Sequence, residues 1–234
     1  MKTKRTLLFS IPYFLVGSAV IAVKMLNFPE YENFLKPFLL LILMGWFVTD
    51  QVINRISIHW LFVLALFFSL LGDVFLMPLF DQFIFGLAFF LLSHVFYIVV
   101  FVKGNSQAFF PTLKKGKLFL FQMLSFYLAL LFILMYKIVE TESLILLIAI
   151  PVYATVLLIM VLSTYVFSKV HFYNYGRYVL LGGIFFFISD SILAINKFVV
   201  TVDYSPIWVM GSYTLAQWFL VYGFLNARKK TPSF

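Results

Sequence analysis

The sequence predicts an all-α, polytopic membrane protein. It reads as a bundle of eight transmembrane helices with both termini cytoplasmic, forming a single integral-membrane domain over residues 1–234. Three observations predict this. The chain is 64% hydrophobic and 11% charged, where a soluble domain carries about 25% charged residues. Eight stretches approach the ~20 apolar residues that cross the hydrocarbon of a bilayer. Threading the chain through those eight crossings gathers its positive charge on one side.

The first span, 7–26, follows the basic start KTKR. That opening has the outline of a secretion signal, but no small-x-small cleavage site with a soluble domain follows, so the segment is expected to be retained. The second span, 34–49, is the shortest and follows the break NFPEYEN at 27–33. Spans 58–77 and 83–102 are joined by the tight turn PLFDQ. The loop 103–117, KGNSQAFFPTLKKGK, leads to span 118–136, and span 144–163 comes next. A polar break at 164–177 precedes the last pair, 178–199 and 205–226, joined by VTVDY.

Charge sorts with this count. With the N-terminus inside, the cytoplasmic side receives Lys2, Lys4, Arg5, Arg55, Lys103, Lys114, Lys115, Lys117, Lys169, Arg177, Arg228, Lys229 and Lys230. The outer loops hold Lys137 with Glu30, Glu32, Asp81, Glu140, Glu142 and Asp203. This is the positive-inside pattern. The net charge of +8 is thereby explained by anionic lipid headgroups, and no nucleic-acid partner is expected. The absence of cysteine excludes disulfides, thiolate metal sites and a cysteine nucleophile. GxSxG, Walker, GxGxxG and HExxH motifs are absent. Of the three histidines only His94 falls deep in a span, so no metal or other cofactor is expected.

The costly residues lie inside the spans. Asp190 sits in GGIFFFISDSILAINKF (182–198), where a buried charge costs about 2.5–3.5 kcal/mol on insertion scales. Asp73, in SLLGDVFLM (69–77), lies about a turn from the outer end of its span. Lys24, Lys36 and Lys197 also fall at outer ends, and His94, Tyr153 and Gln217 near mid-depth. Gly86, Phe90, His94 and Tyr97 share one helix face, as do Tyr213 and Gln217. These residues are expected to converge on one cavity opening outward, with cations at its mouth. Blander roles stand beside this. The lysines can snorkel, the tyrosines and Gln217 can tie helices together, and Ser69, Ser93, Ser189 and Ser191 can simply pack. Asp190 can also pair with a lysine. GDVFLM at 72–77 echoes SDSILA at 189–194, which suggests a four-plus-four tandem repeat.

Two carboxyl groups in a low dielectric cannot both ionise cheaply, so one serves as acid and the other as base. That division suits acid-assisted cleavage of a C–O bond through an oxocarbenium-like cation, with a lipid as the natural substrate in a membrane. The alternative is a proton- or cation-coupled transporter of a small molecule or lipid, using the same aspartates.

The sequence resembles the YhhN-like family of eight-span membrane proteins, which includes the lysoplasmalogenases. Lys36-Pro37, SLLGDVFLM, FGLAFFLLSHVFY (85–97), IPVY (150–153), GGIFFFISDSILAINKF and YTLAQ (213–217) carry the resemblance. It implies hydrolysis of the vinyl ether bond of lysoplasmalogen, a lysophospholipid-type substrate, to a fatty aldehyde and a glycerophospho-base. It also implies Asp73 and Asp190 as the catalytic pair. Asp190, expected to be the deeper and more desolvated, would be the acid and Asp73 the base. His94, Tyr97, Tyr213 and Gln217, with Tyr153 beside them, would orient water and the leaving oxygen. Lys36 or Lys197 would hold the phosphate. The bacterial inner membrane is the expected location.

Overall fold

A computed structural model describes residues 2–228 except 104, 141–142 and 172–174, with side chains from residue 5 onward. Lys229, Lys230, Glu142 and the side chains of Lys2 and Lys4, all used in the charge sorting, lie outside the described residues. Among the described residues the chain forms nine helices and no strand. They are α1 (Lys2–Met25), α2 (Pro29–Ile53), α3 (Trp60–Phe75), α4 (Phe83–Val102), α5 (Ser106–Lys115), α6 (Lys117–Val139), α7 (Leu144–Val170), α8 (Gly176–Phe198) and α9 (Ser205–Arg228).

Eight of these occupy the eight predicted segments, and six (α1, α2, α4, α6, α7 and α8) are long and apolar enough to cross a membrane. The protein is thus an all-α chain of the integral membrane class. Helix α3 is apolar but has 16 residues, which extends about 24 Å. Helix α9 has 24 residues and buries polar side chains such as Tyr213 and Gln217 in the bundle.

Several boundaries differ from expectation. The second segment is not short. Its helix begins at Pro29, because proline in the first turn needs no intrahelical donor and Glu30 and Glu32 suit the N-terminal dipole. The 103–117 loop contains α5, a short helix that buries Leu113 and ends on Lys114 and Lys115. Helix α7 continues to Val170 through residues read as a break. The tight turns hold their reversals with left-handed residues: Asn27, Asp81 and Tyr204 have φ of 59°, 44° and 56°.

The packing is a closed ring. Helix α1 packs on α2, α2 on α3, α3 on α4, α4 on α7, α7 on α8, α8 on α9, and α9 returns to α1. Helix α6 lies outside this ring against α7 and α8. Its side chains Phe121, Phe132 and Tyr136 are exposed, as suits a lipid-facing helix. At the end of the ring near the termini, Phe62 stacks between Phe47 and Phe224, with ring centroids 4.5 and 4.7 Å away. Phe224 also borders a cavity of about 320 Å³ at this end, lined by His59, Lys103, Asn105 and Arg228 among others. Asp73 and Asp190 with their partners occupy the other half, while Asp50, Gln51 and Arg228 are buried at this end.

Candidate active site

Asp73 stands in the last turn of α3. Gly72 before it has a packing reason: a Cβ there would approach the Phe90 ring of α4 to 2.6 Å. Glycine there leaves room for that ring, so α4 packs closely on the turn of α3 that carries Asp73. Lys36 of α2 places Nζ 3.2 Å from Asp73 Oδ1. Tyr213 of α9 donates its hydroxyl to Asp73 Oδ2 at 2.6 Å. Both carboxylate oxygens are therefore engaged, one of them by a cation, and Asp73 is 3% exposed.

A second layer stands behind this pair. Gln217 Nε2 donates to Ser69 Oγ at 3.0 Å and lies 3.4 Å from the Tyr213 hydroxyl. Tyr97 donates to Gln217 Oε1 at 2.8 Å. Ser69 and Ser93 share a 2.7 Å hydrogen bond between α3 and α4. Buried polar groups linked in this way are rigid, because breaking one bond leaves others unpaired.

Asp190, on α8, has a different environment. Tyr153 of α7 donates to its Oδ2 at 2.5 Å. His94 of α4 brings Nε2 to 3.4 Å from the same oxygen and 3.0 Å from the Tyr153 hydroxyl. His94 is fully buried and its Nδ1 has no partner. The neutral Nε2–H tautomer leaves an unmet acceptor there instead of an unmet donor, so it fits the surroundings best. Among the described residues no lysine or arginine forms an ion pair with Asp190.

The two aspartates line one cavity of about 270 Å³. Lys24, Lys36, Asp81, Lys197 and Tyr213 are also in its wall. Lys24 is itself held 2.6 Å from Glu32, and Lys197 lies 5.4 Å from the centre of the Phe83 ring. Asp190 borders a second, apolar space as well, bounded by α4, α6, α7 and α8.

The structure changes several expectations. Lys36 is not at the end of its span. Because α2 starts at Pro29, Lys36 lies about two turns inside, where it is 4% exposed and serves as the counter-ion of Asp73. It has no freedom to snorkel. Asp190 is also not the more desolvated acid. Its side chain is 11% exposed against 4% for Asp73, since Asp190 faces two open spaces while Lys36 and Tyr213 cover Asp73. Of the remaining residues, Tyr213 and Lys197 line the cavity, and Tyr153 lines the apolar space. His94 and Gln217 stand one layer behind, bonded to residues that do, and Tyr97 stands behind Gln217. Ser69, read as a packing residue, is a bonded member of that layer, and the Lys24–Glu32 pair was not foreseen. Neither could be read from spacing, because each partner comes from another helix or another turn.

The chain was compared with known proteins. Neither the curated proteins nor the solved structures give a match. A family model does, that of the YhhN family, and it covers residues 31–224. The matched region contains most of α2, all of α3 to α8 and most of α9, with every hydrogen-bond and ion-pair partner of the two aspartates described above; Lys24 of the cavity wall lies outside it. With that coverage, the chain belongs to the YhhN family.

Proposed function

We propose that this protein is an intramembrane hydrolase that cleaves the vinyl ether bond of lysoplasmalogen, releasing a fatty aldehyde and a glycerophospho-base. One observation carries the proposal: Asp73 and Asp190 line the same cavity, and among the described residues a lysine pairs with Asp73 while none pairs with Asp190. Asp73, paired with Lys36, is the ionised member. Asp190 is the member that carries a proton. Both of its hydrogen bonds fall on Oδ2, so Oδ1 is the oxygen left to exchange that proton.

The steps follow from these assignments. Asp190 gives its proton to the vinyl carbon distal to the ether oxygen. The cation that forms on the carbon bearing oxygen is stabilised by the Asp73 carboxylate. Water adds to that carbon and loses a proton to Asp73, giving a hemiacetal. The hemiacetal hydroxyl then returns a proton to Asp190 while the leaving oxygen takes one from Asp73. Aldehyde and alcohol are released, and both carboxyl groups regain their starting states. Tyr213 and Tyr153 orient the two carboxyl groups, and Lys197 and Lys24 sit where a phosphate would rest.

The proposal includes eight spans with both termini cytoplasmic, in the bacterial inner membrane. The aspartates' partners support a tandem repeat. Asp73 is held by the preceding span, through Lys36, and by the last span of the other half, through Tyr213. Asp190 is held in the same way, by Tyr153 of the preceding span and His94 of the last span of the first half.

The test is an assay of purified protein in detergent against a lysoplasmalogen and the matching acyl lysophospholipid. Wild type releases aldehyde from the vinyl ether alone. Asp73→Asn and Asp190→Asn each lower turnover by about 10²–10⁴-fold. Aldehyde release with no sealed membrane separates hydrolysis from transport. Wild-type turnover by either folded variant overturns the assignment.

A further inference from the structure

The end of the ring near the termini holds groups that the proposed reaction does not use. The cavity of about 320 Å³ there is bounded by the turns before α3 and α5 and by the ends of α4, α7 and α9. Its volume is at the lower edge of ligand pockets, which run from about 300 to 1,000 Å³. It shares no wall residue with the cavity that holds Asp73 and Asp190. Its charge is of one sign. Lys103 and Arg228 are in the wall, and among the described residues no aspartate or glutamate is. Asp50 is buried at the same end but stands outside the wall, 3.6 Å from Arg5.

Arg228 is 7% exposed, and among the described residues no carboxylate pairs with it. A buried charge without a counter-ion is costly. Basic residues at a helix end often meet the last carbonyls of their own helix, but Arg228 does not. Its two hydrogen bonds go to Gln51 Oε1 and to the Ser57 carbonyl, and both leave from Nη1. They tie α9 to α2 and to the turn before α3, which is a structural role. Nη2 and Nε, with three N–H groups between them, make no hydrogen bond among the described residues and are not closed off from solvent. That free edge of the guanidinium suits two phosphate oxygens. Lys103 is exposed and adds a point charge on a flexible stem. A phosphate monoester carries about −1.5 to −2 charges near pH 7, which matches two cations better than a carboxylate does.

We infer that this cavity binds a dianionic phosphate group, with the free edge of the Arg228 guanidinium and the Lys103 ammonium as its ligands. The group supplies the counter-ion that the described residues do not. Its source is a soluble phosphate monoester or the headgroup of an anionic lipid, which present the same three oxygens. The site stands apart from the proposed hydrolysis and needs none of its residues.

The test is calorimetric titration of the full chain in detergent with inorganic phosphate, with ionic strength held constant by chloride so that screening does not change. Saturable binding is expected in wild type, with a thermal midpoint that rises with phosphate concentration. Lys103→Gln should weaken binding by about three- to five-fold. Arg228→Lys keeps the charge and loses the fork, and should weaken binding by about ten-fold or more. Lys197→Ala should leave it unchanged, since that lysine belongs to the other cavity. Competition identifies the source. Displacement of inorganic phosphate by dioctanoyl phosphatidic acid, and not by dioctanoyl phosphatidylcholine, identifies a lipid monoester. Displacement by glycerol phosphate alone identifies a soluble one. Absence of saturable binding in wild type overturns the inference, whether or not the variants fold. So does binding that Lys103→Gln leaves intact and Lys197→Ala abolishes, which places the anion beside the aspartates.

Discussion

Lys36 Nζ lies 3.2 Å from Asp73 Oδ1, and the two side chains are 6% and 4% exposed. The pair joins α2 to α3 at the cavity and compensates one of the two carboxyl groups in it. Removing one member of such a pair leaves an uncompensated buried charge, at a cost of about 3–5 kcal/mol. Lys36→Met is therefore expected to lower the thermal midpoint in detergent sharply and to abolish turnover. The double variant Lys36→Met/Asp73→Asn should regain most of the stability and none of the activity. A Lys36→Met protein as stable as wild type would show that the pair does not compensate charge.

Tyr153 and Tyr97 make contrasting predictions. Tyr153 bonds directly to Asp190, whereas Tyr97 reaches Asp73 only through Gln217 and Tyr213. Loss of one hydroxyl bond costs about 0.5–1.5 kcal/mol. Tyr153→Phe should lower kcat by up to about ten-fold with KM little changed, and Tyr97→Phe should appear mainly as lost thermal stability. Steady-state kinetics beside melting curves separates the two.

Lys197 is exposed at the cavity wall and makes no ion pair among the described residues. Lys197→Ala is expected to raise KM by about two- to five-fold and leave kcat near wild type, the scale of an exposed charge contact. The effect should shrink as salt is added, since screening weakens such contacts. Measuring KM across a KCl series in mixed micelles checks both points.

His59, the residue before α3, lies outside the spanning helix. Burial, followed by the positive charge of Arg228, lowers its pKa to about 4. Unfolded, it titrates near 6.5. The unfolded chain therefore binds more protons between these values, and stability falls as pH drops from about 6.5 towards about 4. His59→Gln should flatten that part of the stability–pH curve while leaving it unchanged above pH 7. A variant with the wild-type slope would assign the loss to other groups.

Much of this architecture was readable from residue patterns. The eight apolar segments recur as eight helices because hydrocarbon leaves a backbone few alternatives to internal hydrogen bonding. The shared face of Gly86, Phe90, His94 and Tyr97 is buried as the helical period requires. Helix ends were less legible. Pro29 starts α2 seven residues before Lys36, and that offset moved Lys36 from a helix end to the partner of Asp73. Apolar counting alone gives no weight to a proline that can begin a helix.

What the sequence by itself determined is that the chain is of the integral membrane class and that Asp73 and Asp190 sit in apolar helical segments, since composition and hydrophobic length depend on residues alone. What only the tertiary structure decided is how the two acids differ. Lys36 and Tyr213 close over Asp73, while Tyr153, His94 and two open spaces surround Asp190. The physical reason is distance along the chain. Tyr213 is 140 residues from Asp73 and His94 is 96 from Asp190. The environment of a buried charge is set by such remote neighbours, which meet it only once the ring of helices has closed.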